Sequence, residues 1–180
     1  MRFIIAAPFL VLGLAACGSD AEELEEPISQ EQIAAEVGEL PVPSAGLYRQ
    51  TTQILEFEVP GASEEDLKKM QEEAALENET QESCLSEEEA AKGYKDLVQD
   101  LSEAQEGLTC NFTQFDADGS QLDAKLACDA PMSASAKIAI AGTLEPDATD
   151  LIMDMTIGIP FVGDMKMKLA MKSERIGPCP

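Results

Sequence analysis

The chain contains no histidine among its 180 residues, and this absence excludes several common classes of enzyme. Histidine accepts the proton in Ser-His-Asp and Cys-His hydrolases, and it supplies the ligand nitrogen of many zinc sites. No imidazole is available as a general base either. The composition therefore argues against catalysis, and we expect no cofactor, no metal ion and no catalytic residues.

Basic residues are also scarce, with 12 lysines and arginines against 35 aspartates and glutamates and a net charge of −23. Proteins that bind nucleic acid take much of their affinity from clustered cations on the phosphate backbone. A surface with this charge repels a polyanion, so nucleic acid is not an expected partner. Apolar residues make up 44% of the chain, which is enough to bury the core of one ordinary domain.

An apolar run, residues 3–14, follows Arg2 and is too short to span a bilayer core of about 30 Å. A positive charge before a short apolar run is typical of a secretory signal peptide. The run ends in Leu14-Ala15-Ala16-Cys17, which resembles the lipobox of bacterial lipoproteins. We therefore predict that residues 1–16 are a lipoprotein signal peptide and that Cys17 receives the lipid. The alternative is an ordinary signal peptide, cut after an Ala-x-Ala-like site, with Cys17 unmodified.

The lipobox resemblance also implies a location. Buried acyl chains contribute about 0.8 kcal/mol per methylene, so two or three chains on Cys17 would hold the protein at a membrane permanently. Gly18 and Ser19 follow the cysteine in place of the aspartate that retains enteric lipoproteins at the inner membrane. The expected location is thus the cell envelope, as an outer membrane lipoprotein that faces the periplasm.

An acid-rich segment follows the cysteine and contains no basic residue before Arg49. Like charges repel and extend such a segment, so we predict a lipidated cysteine and an acidic tether over residues 17–46. Within the tether, Ser29-x-x-Gln32 before a few apolar residues is a signature that caps one or two helical turns.

Two helices are predicted near the start of the folded part, residues 47–180, which we expect to be a single domain. Ser63-x-x-Asp66 opens the first helix, near 63–77, and the capping box Ser86-x-x-Glu89 opens the second, near 86–101. Apolar residues recur at helical spacing after both caps.

From Cys110 onward the spacing of apolar residues switches to a period of about 2, which indicates strands. Asp118-Gly119 lies between two such runs and predicts a tight hairpin, because glycine tolerates the positive φ of the turn. Residues 165–172 alternate methionine or leucine with lysine or alanine, as a strand with one buried and one wet face does. With the loosely alternating residues 47–59, these runs predict a mainly β, α+β fold. We expect an antiparallel meander of about six strands, forming a curved sheet, half-barrel or sandwich with the two helices inserted.

Four cysteines remain if Cys17 is lipidated, and the predicted compartment oxidises thiols. Four cysteines allow three pairings. Cys110 and Cys128 are equally distant from the hairpin turn, so folding about it brings them opposite each other and predicts the disulfide Cys110–Cys128. Cys84–Cys179 is then the second disulfide, and a reactive thiol is the alternative use of these residues.

Several short motifs occur in a characteristic order. They are Gly46-Leu47-Tyr48-x-x-Thr51, Cys84-Leu85-Ser86-x-Glu88, the hairpin cysteines, the methionine-alternating strands and the C-terminal Gly177-Pro178-Cys179-Pro180. The set resembles the bacterial domain-of-unknown-function family 3617, over about residues 45–180. That family comprises exported and lipoprotein domains of proteobacteria, and the resemblance implies an architecture without implying a reaction.

Five methionines are the candidate binding residues, and they lie on two runs that are predicted to pair. They are Met153, Met155, Met165, Met167 and Met171. A flexible thioether fills an uneven core well, and it also suits a groove that receives an apolar ligand. Thioether clusters bind Cu(I) as well. Because each methionine occupies the parity that the strand buries, core packing is favoured, an apolar groove comes second and copper third.

These features predict a bacterial envelope lipoprotein that is a non-catalytic binding or scaffolding module facing the periplasm. Its expected partners are the membrane, through Cys17, and an envelope protein. The alternative function is a carrier of an apolar or lipid-like small molecule in the methionine-lined groove. A hydrolase that works without histidine is the third and weakest hypothesis.

Overall fold

The computed structural model of the protein describes residues 27–76, 80–95, 98–99, 109–131 and 134–180. Three helices and seven strands lie wholly within the described residues. The helices are α1 (Gln30–Val37), α2 (Glu64–Leu76) and α3 (Glu87–Lys92). The strands are β1 (Gly46–Glu58), β2 (Gln81–Leu85), β3 (Thr109–Asp118), β4 (Gln121–Asp129), β5 (Ser135–Glu145), β6 (Ala148–Ile159) and β7 (Gly163–Gly177).

All seven strands belong to one open antiparallel sheet with the order β2-β1-β7-β6-β5-β4-β3. Strands β3 to β7 form a meander, and β1 pairs with β7, the last strand of the chain. The mainly β fold with inserted helices is confirmed, with seven strands in place of about six. The additional strand is β2, whose residues are exposed except for Leu85. It therefore has no alternation of buried and exposed side chains from which it could be recognised.

The predicted hairpin joins β3 to β4. Gly119 adopts a positive φ of 61° in the turn, as the Asp-Gly pair requires. Cys110 lies directly opposite Cys128 in the register, although an irregularity near Thr113 shifts the pairing between the cysteines and the turn.

The predicted tether is wrong over residues 27–46, because much of this segment belongs to the folded domain. Ser29 and Gln32 form a complete capping box that begins α1. The next apolar side chains along the helix, Ile33 and Val37, are buried, with only 2% of Ile33 exposed. Ile28 donates its backbone N–H to the Phe112 carbonyl at 2.9 Å. Of the two acids of α1, Glu31 is exposed and Glu36 is half-buried, so a high acid content did not prevent packing.

The buried core lies between α1 and strands β3, β4 and β5. Phe112 and Phe115 pack edge to face at its centre, with ring centroids 5.4 Å apart. The other buried members of the cluster are Ile33, Val37, Leu40, Val98, Cys110, Ala124, Leu126, Cys128, Ile140 and Leu144. Helix α1 covers one face of these three strands. Without it, this face of the antiparallel sheet would be exposed to solvent.

The two predicted helices begin where expected. Ser63 bonds Asp66 before α2, and Ser86 forms a full capping box before α3. The second helix is shorter than predicted, because Gly93 adopts a φ of 64° and ends α3. Residues 95 and 98–99 are helical again, and the rest of the predicted range to 101 lies outside the described residues. None of the helices in the described part of the chain is long and apolar enough to cross a membrane.

Candidate functional site

The five candidate methionines come together on one face of β6 and β7. Met155 and Met167 are direct partners in the antiparallel register, so their Cβ atoms are about 5 Å apart. The other three pair with branched apolar residues on the neighbouring strand: Met153 with Leu169, Met165 with Ile157 and Met171 with Leu151. We call this surface of β6 and β7 the methionine face.

The methionine face continues the side of the sheet that carries the core. Ile140 of the buried cluster is the register partner of Met153, and Met153 packs against the cluster. All five methionines are nevertheless only half-buried. Their parity is the one that faces the core side of the sheet, but their burial is incomplete. Burial depends on what covers a strand, and α1 covers β3 to β5.

Strand β1 extends the methionine face by one strand. Ile54 pairs with Leu169 and Phe57 pairs with Met167, and both side chains are half-buried. An irregularity in the register between Ile54 and Glu56 turns Leu55 outward, where 44% of it is exposed. Simple alternation would place Leu55 and Phe57 on the same side of the sheet. The irregularity is a β-bulge, and it places them on different sides.

The opposite face of the same strands carries charges that are paired across the sheet, beside the apolar register partners Ile152 and Ala170, of which Ala170 is buried. Lysines of β7 lie beside carboxylates of β1 and β6, each directly across the register. The ion pairs are Lys166–Glu58 at 3.5 Å, Lys168–Asp154 at 3.4 Å and Lys172–Asp150 at 2.8 Å. Exposed pairs of this kind contribute less than about 1 kcal/mol each. Their arrangement separates a wet face from the methionine face.

Two disulfides are present, and they are the pairs that the hairpin argument predicts. Cys110–Cys128 links β3 to β4 across a sequence separation of 18, and both cysteines are buried. Cys84–Cys179 links β2 to the segment after β7 across a separation of 95. The loop that the second bond closes contains strands β3 to β7. Cys17, the predicted lipidation site, lies outside the described residues.

A second surface feature lies beside the β3–β4 hairpin, where acids line a depression of about 380 Å³. Its carboxylates come from Glu36 of α1 and from Asp116, Asp118 and Asp123. Glu36 accepts the Ala117 N–H at 3.2 Å, so this carboxylate ties α1 to β3. Among the described residues, no group of three or more acids or cysteines is placed to hold a metal ion.

The two tyrosines of the chain differ in how their hydroxyls are satisfied. The Tyr48 hydroxyl lies 2.7 Å from the Ser44 carbonyl oxygen and 3.0 Å from that of Pro146, to which it donates. The buried Tyr94 hydroxyl finds no hydrogen-bond partner among the described residues. Burial raises the pKa of Tyr94 to about 12, and the nearby Tyr48 adds to this shift.

We expect Tyr94→Phe to leave the free energy of unfolding at pH 7 unchanged or to raise it by about 1 kcal/mol, because it removes an unsatisfied buried hydroxyl. The tyrosine pKa in an unfolded chain is about 10, so at higher pH the unfolded state loses its proton first. The stabilisation from this shift is present below pH 10 and is lost as pH rises toward 12. Tyr94→Phe should therefore show a smaller decrease in the free energy of unfolding between pH 10 and pH 12 than the parent protein does.

Tyr48→Phe is the matched control, and we expect it to lower the free energy of unfolding by about 1 kcal/mol at pH 7, because it deletes a satisfied hydrogen bond. Urea unfolding of both variants at neutral and alkaline pH makes the comparison. If Tyr94→Phe is as destabilising as Tyr48→Phe, the Tyr94 hydroxyl has a partner that the described residues do not include.

A family model described as a protein of unknown function (DUF3617) matches residues 43–179. The chain belongs to this family. The match includes the sheet, α2, α3 and both disulfides of this DUF3617 protein, and it begins after α1. No curated protein and no solved structure matches the chain.

Proposed function

We propose that this DUF3617 protein is a lipoprotein of the bacterial cell envelope, anchored in the outer membrane through Cys17, and that its sheet is a non-catalytic binding or scaffolding module in the periplasm. The anchor rests on the signal-peptide pattern and the lipobox resemblance of residues 1–17. The binding role rests on one observation: the methionine face is apolar and contiguous with the core, yet its side chains are only half-buried.

The methionine face suits binding better than the opposite face does. The lysines of the opposite face are already paired with carboxylates, so a partner would have to break or desolvate those pairs. Methionine side chains have three rotatable bonds and adapt to surfaces of different shape. Covering this face would remove apolar surface from water, which is the dominant favourable term in association.

The composition supports the non-catalytic part of the proposal. The chain has no histidine, and no charged side chain is buried in the described part of the protein. Carboxylates that act as general acids take their raised pKa from burial or from a like-charged neighbour. The Glu89 carboxylate shows the opposite effect, since its hydrogen bond from Ser86 lowers its pKa.

A carrier of a lipid-like molecule is the second candidate. Its support is the width of the apolar surface, which runs from β6 across β7 to Ile54 and Phe57 of β1. Three adjacent strands span about 10 Å, which is enough to lay an acyl chain along the face. A carrier would bind a lipid-like molecule with these side chains, whereas a scaffold would bind a protein partner with the same ones.

Native mass spectrometry of the mature protein, purified in mild detergent, separates the two functions. Photo-methionine, a photoreactive analogue incorporated in place of methionine, crosslinks the methionine face to a bound protein on illumination and so identifies a protein partner. Co-purified lipid indicates a carrier. A ligand-free mass together with crosslinks from Met155 or Met167 to an envelope protein indicates a scaffold. The exposed Met70 of α2 reports non-specific crosslinking in the same sample.

Met155→Lys should abolish either signal, because it places a charge at the centre of the methionine face. The matched control is Thr156→Lys, one residue along β6 and on the opposite face. If Met155→Lys retains both the ligand and the crosslinks of the parent protein, the methionine face is not the binding surface. The intact mass of the same sample shows whether Cys17 carries acyl chains.

A further inference from the structure

The turn between β6 and β7 contains a residue that neither the turn nor the core accounts for. Val162 donates its N–H to the Ile159 carbonyl at 3.1 Å, with Pro160 in the second position of the turn. Phe161 occupies the third position with a φ of 67°. This pattern is that of a type II turn, whose third position favours glycine or asparagine because side chains strain the backbone there.

Packing does not compensate for this strain. Phe161 is fully exposed, at 107% of its reference area, and 54% of the neighbouring Val162 is exposed. Ile159, at the end of β6, is exposed as well. We call residues 159–162 the hairpin tip. A large aromatic side chain that costs backbone strain and buries nothing within its own fold indicates a contact outside the protein.

The course of the N-terminal segment shows which end of the sheet faces the predicted anchor. Ile28 bonds Phe112, and Glu36 bonds Ala117 five residues further along β3. The chain therefore runs beside β3 in the same direction as that strand. It enters the described structure from the end of the sheet at which β3 begins.

The hairpin tip lies at this same end. The register places Thr109 level with Asp129, Asp129 level with Ser135 and Ser135 level with Gly158, immediately before the tip. Three strand spacings separate β3 from β6, a distance of about 15 Å across the sheet. The entering chain and the tip therefore point toward one side of the molecule.

Because α1 is packed, the tether between the anchor and the domain is short. Ten residues, 17–26, precede the described domain from Cys17 onward, and ten residues reach at most about 35 Å. The domain is thus held close to the lipid headgroups, with the tip end of the sheet nearest to them. This step rests on the proposed lipidation of Cys17.

We propose that the hairpin tip inserts into the lipid bilayer that holds the Cys17 anchor. Phe161 and Val162 enter the boundary between headgroups and acyl chains, where their apolar surface leaves water. The tip then provides a second attachment point and fixes the orientation of the sheet. Its methionine face stands clear of the membrane, roughly along the bilayer normal, and stays accessible to a periplasmic partner.

The charges around the tip predict an unusual lipid dependence. Asp164 follows the tip directly. Pro60, in the turn that leads into α2, is adjacent to Gly163, because a Cβ atom added to that glycine would lie 3.2 Å from Pro60 Cγ. The first turn of α2 carries Glu64, Glu65 and Asp66. Anionic lipids should therefore weaken insertion, and salt should restore it by screening the repulsion. A basic membrane-binding patch would show the reverse dependence.

The chain contains no tryptophan, so Phe161→Trp places a single fluorophore at the tip. The mature protein is reconstituted in phosphatidylcholine vesicles whose acyl chains are partly brominated, and bromine quenches tryptophan on contact. We expect a blue-shifted emission and a loss of intensity. Val42→Trp is the control, since Val42 is 59% exposed and lies near Ser44, which bonds Pro146 at the opposite end of the sheet. Its emission should remain that of tryptophan in water.

Quenching of Phe161→Trp that falls when phosphatidylglycerol replaces part of the phosphatidylcholine supports the proposal. An unquenched Phe161→Trp, or equal quenching of both variants, overturns it. A blue shift that grows with protein concentration without vesicles also overturns it, because the tip then contacts a second copy. The intact mass of each sample separates the two questions. An acylated protein with an unquenched tip supports the proposed anchor and contradicts the insertion. A protein without acyl chains whose tip is quenched supports the insertion and contradicts the anchor.

Phe161→Gly distinguishes a membrane contact from a structural role. Glycine fits the third position of the turn without strain, so the thermal midpoint should stay the same or rise. A lower midpoint means that Phe161 supports the fold, and it overturns the inference.

Discussion

Replacing Cys84 and Cys179 together with serine is expected to lower the free energy of unfolding by about 4 to 5 kcal/mol. The bond constrains the unfolded chain across a separation of 95 residues, and loop-closure entropy grows with the length of the loop. A single domain is stable by roughly 5 to 15 kcal/mol, so this change removes a large part of the total. Urea unfolding of the oxidised parent protein and of the double variant measures the difference.

The second disulfide is the control for loop length. Cys110–Cys128 closes a separation of only 18, for which the same entropy argument gives about 3 kcal/mol. Its cysteines are buried whereas Cys84 is exposed, so a mild reductant should open Cys84–Cys179 first. If loss of Cys84–Cys179 costs less than 1 kcal/mol, the unfolded chain is already compact enough to hold β2 near the C-terminus.

Local patterns predicted the features of the fold that depend on local geometry. The Asp118-Gly119 pair identified the hairpin, and the hairpin identified the disulfide partners. The alternation of residues 165–172 placed the methionines and lysines of β7 on opposite faces correctly, as the ion pairs of Lys166 and Lys172 show, although Ala170 on the lysine face is buried. These features follow from backbone sterics and from a side-chain period of 2, which neighbours in the sequence fully determine.

Features that depend on distant contacts were missed. Alternation gave the side on which Met155 lies but not the extent of its burial, because the buried cluster under α1 is built on β3, β4 and β5. Strand β2 is exposed and polar, so only its pairing with β1 defines it. The bulge beside Leu55 is likewise set by pairing with β7.

The hairpin tip was overlooked for a different reason. Pro160 marks a turn in the sequence, but the positive φ of Phe161 is visible only in the structure. A bulky apolar residue directly after a turn proline is the signal that could have found it. For α1 the signal was present in the spacing of Ile33, Val37 and Leu40, at i, i+4 and i+7, and the surrounding acids outweighed it. The matched family region begins at residue 43 and gives no indication of α1 either.

Ile33→Ala is expected to lower the free energy of unfolding by about 3 kcal/mol, within the range measured for truncating a buried aliphatic side chain. Only 2% of Ile33 is exposed, and it belongs to the same buried cluster as Phe112. Deleting its side chain leaves a cavity between α1 and the sheet. Gln30→Ala, at an exposed position of the same helix, should change stability by less than about 0.5 kcal/mol.

The comparison of Ile33→Ala with Gln30→Ala also tests where the tether ends. If both variants are as stable as the parent, α1 does not pack, and the tether extends to residue 46 as the acid content suggests. Such a tether spans roughly 30 Å and would hold the domain away from the headgroups, beyond the reach of the hairpin tip. A loss of about 3 kcal/mol for Ile33→Ala alone requires the packed helix. The folded domain then includes Ile28, and under the proposed lipidation of Cys17 the tip end of the sheet lies within reach of the membrane surface.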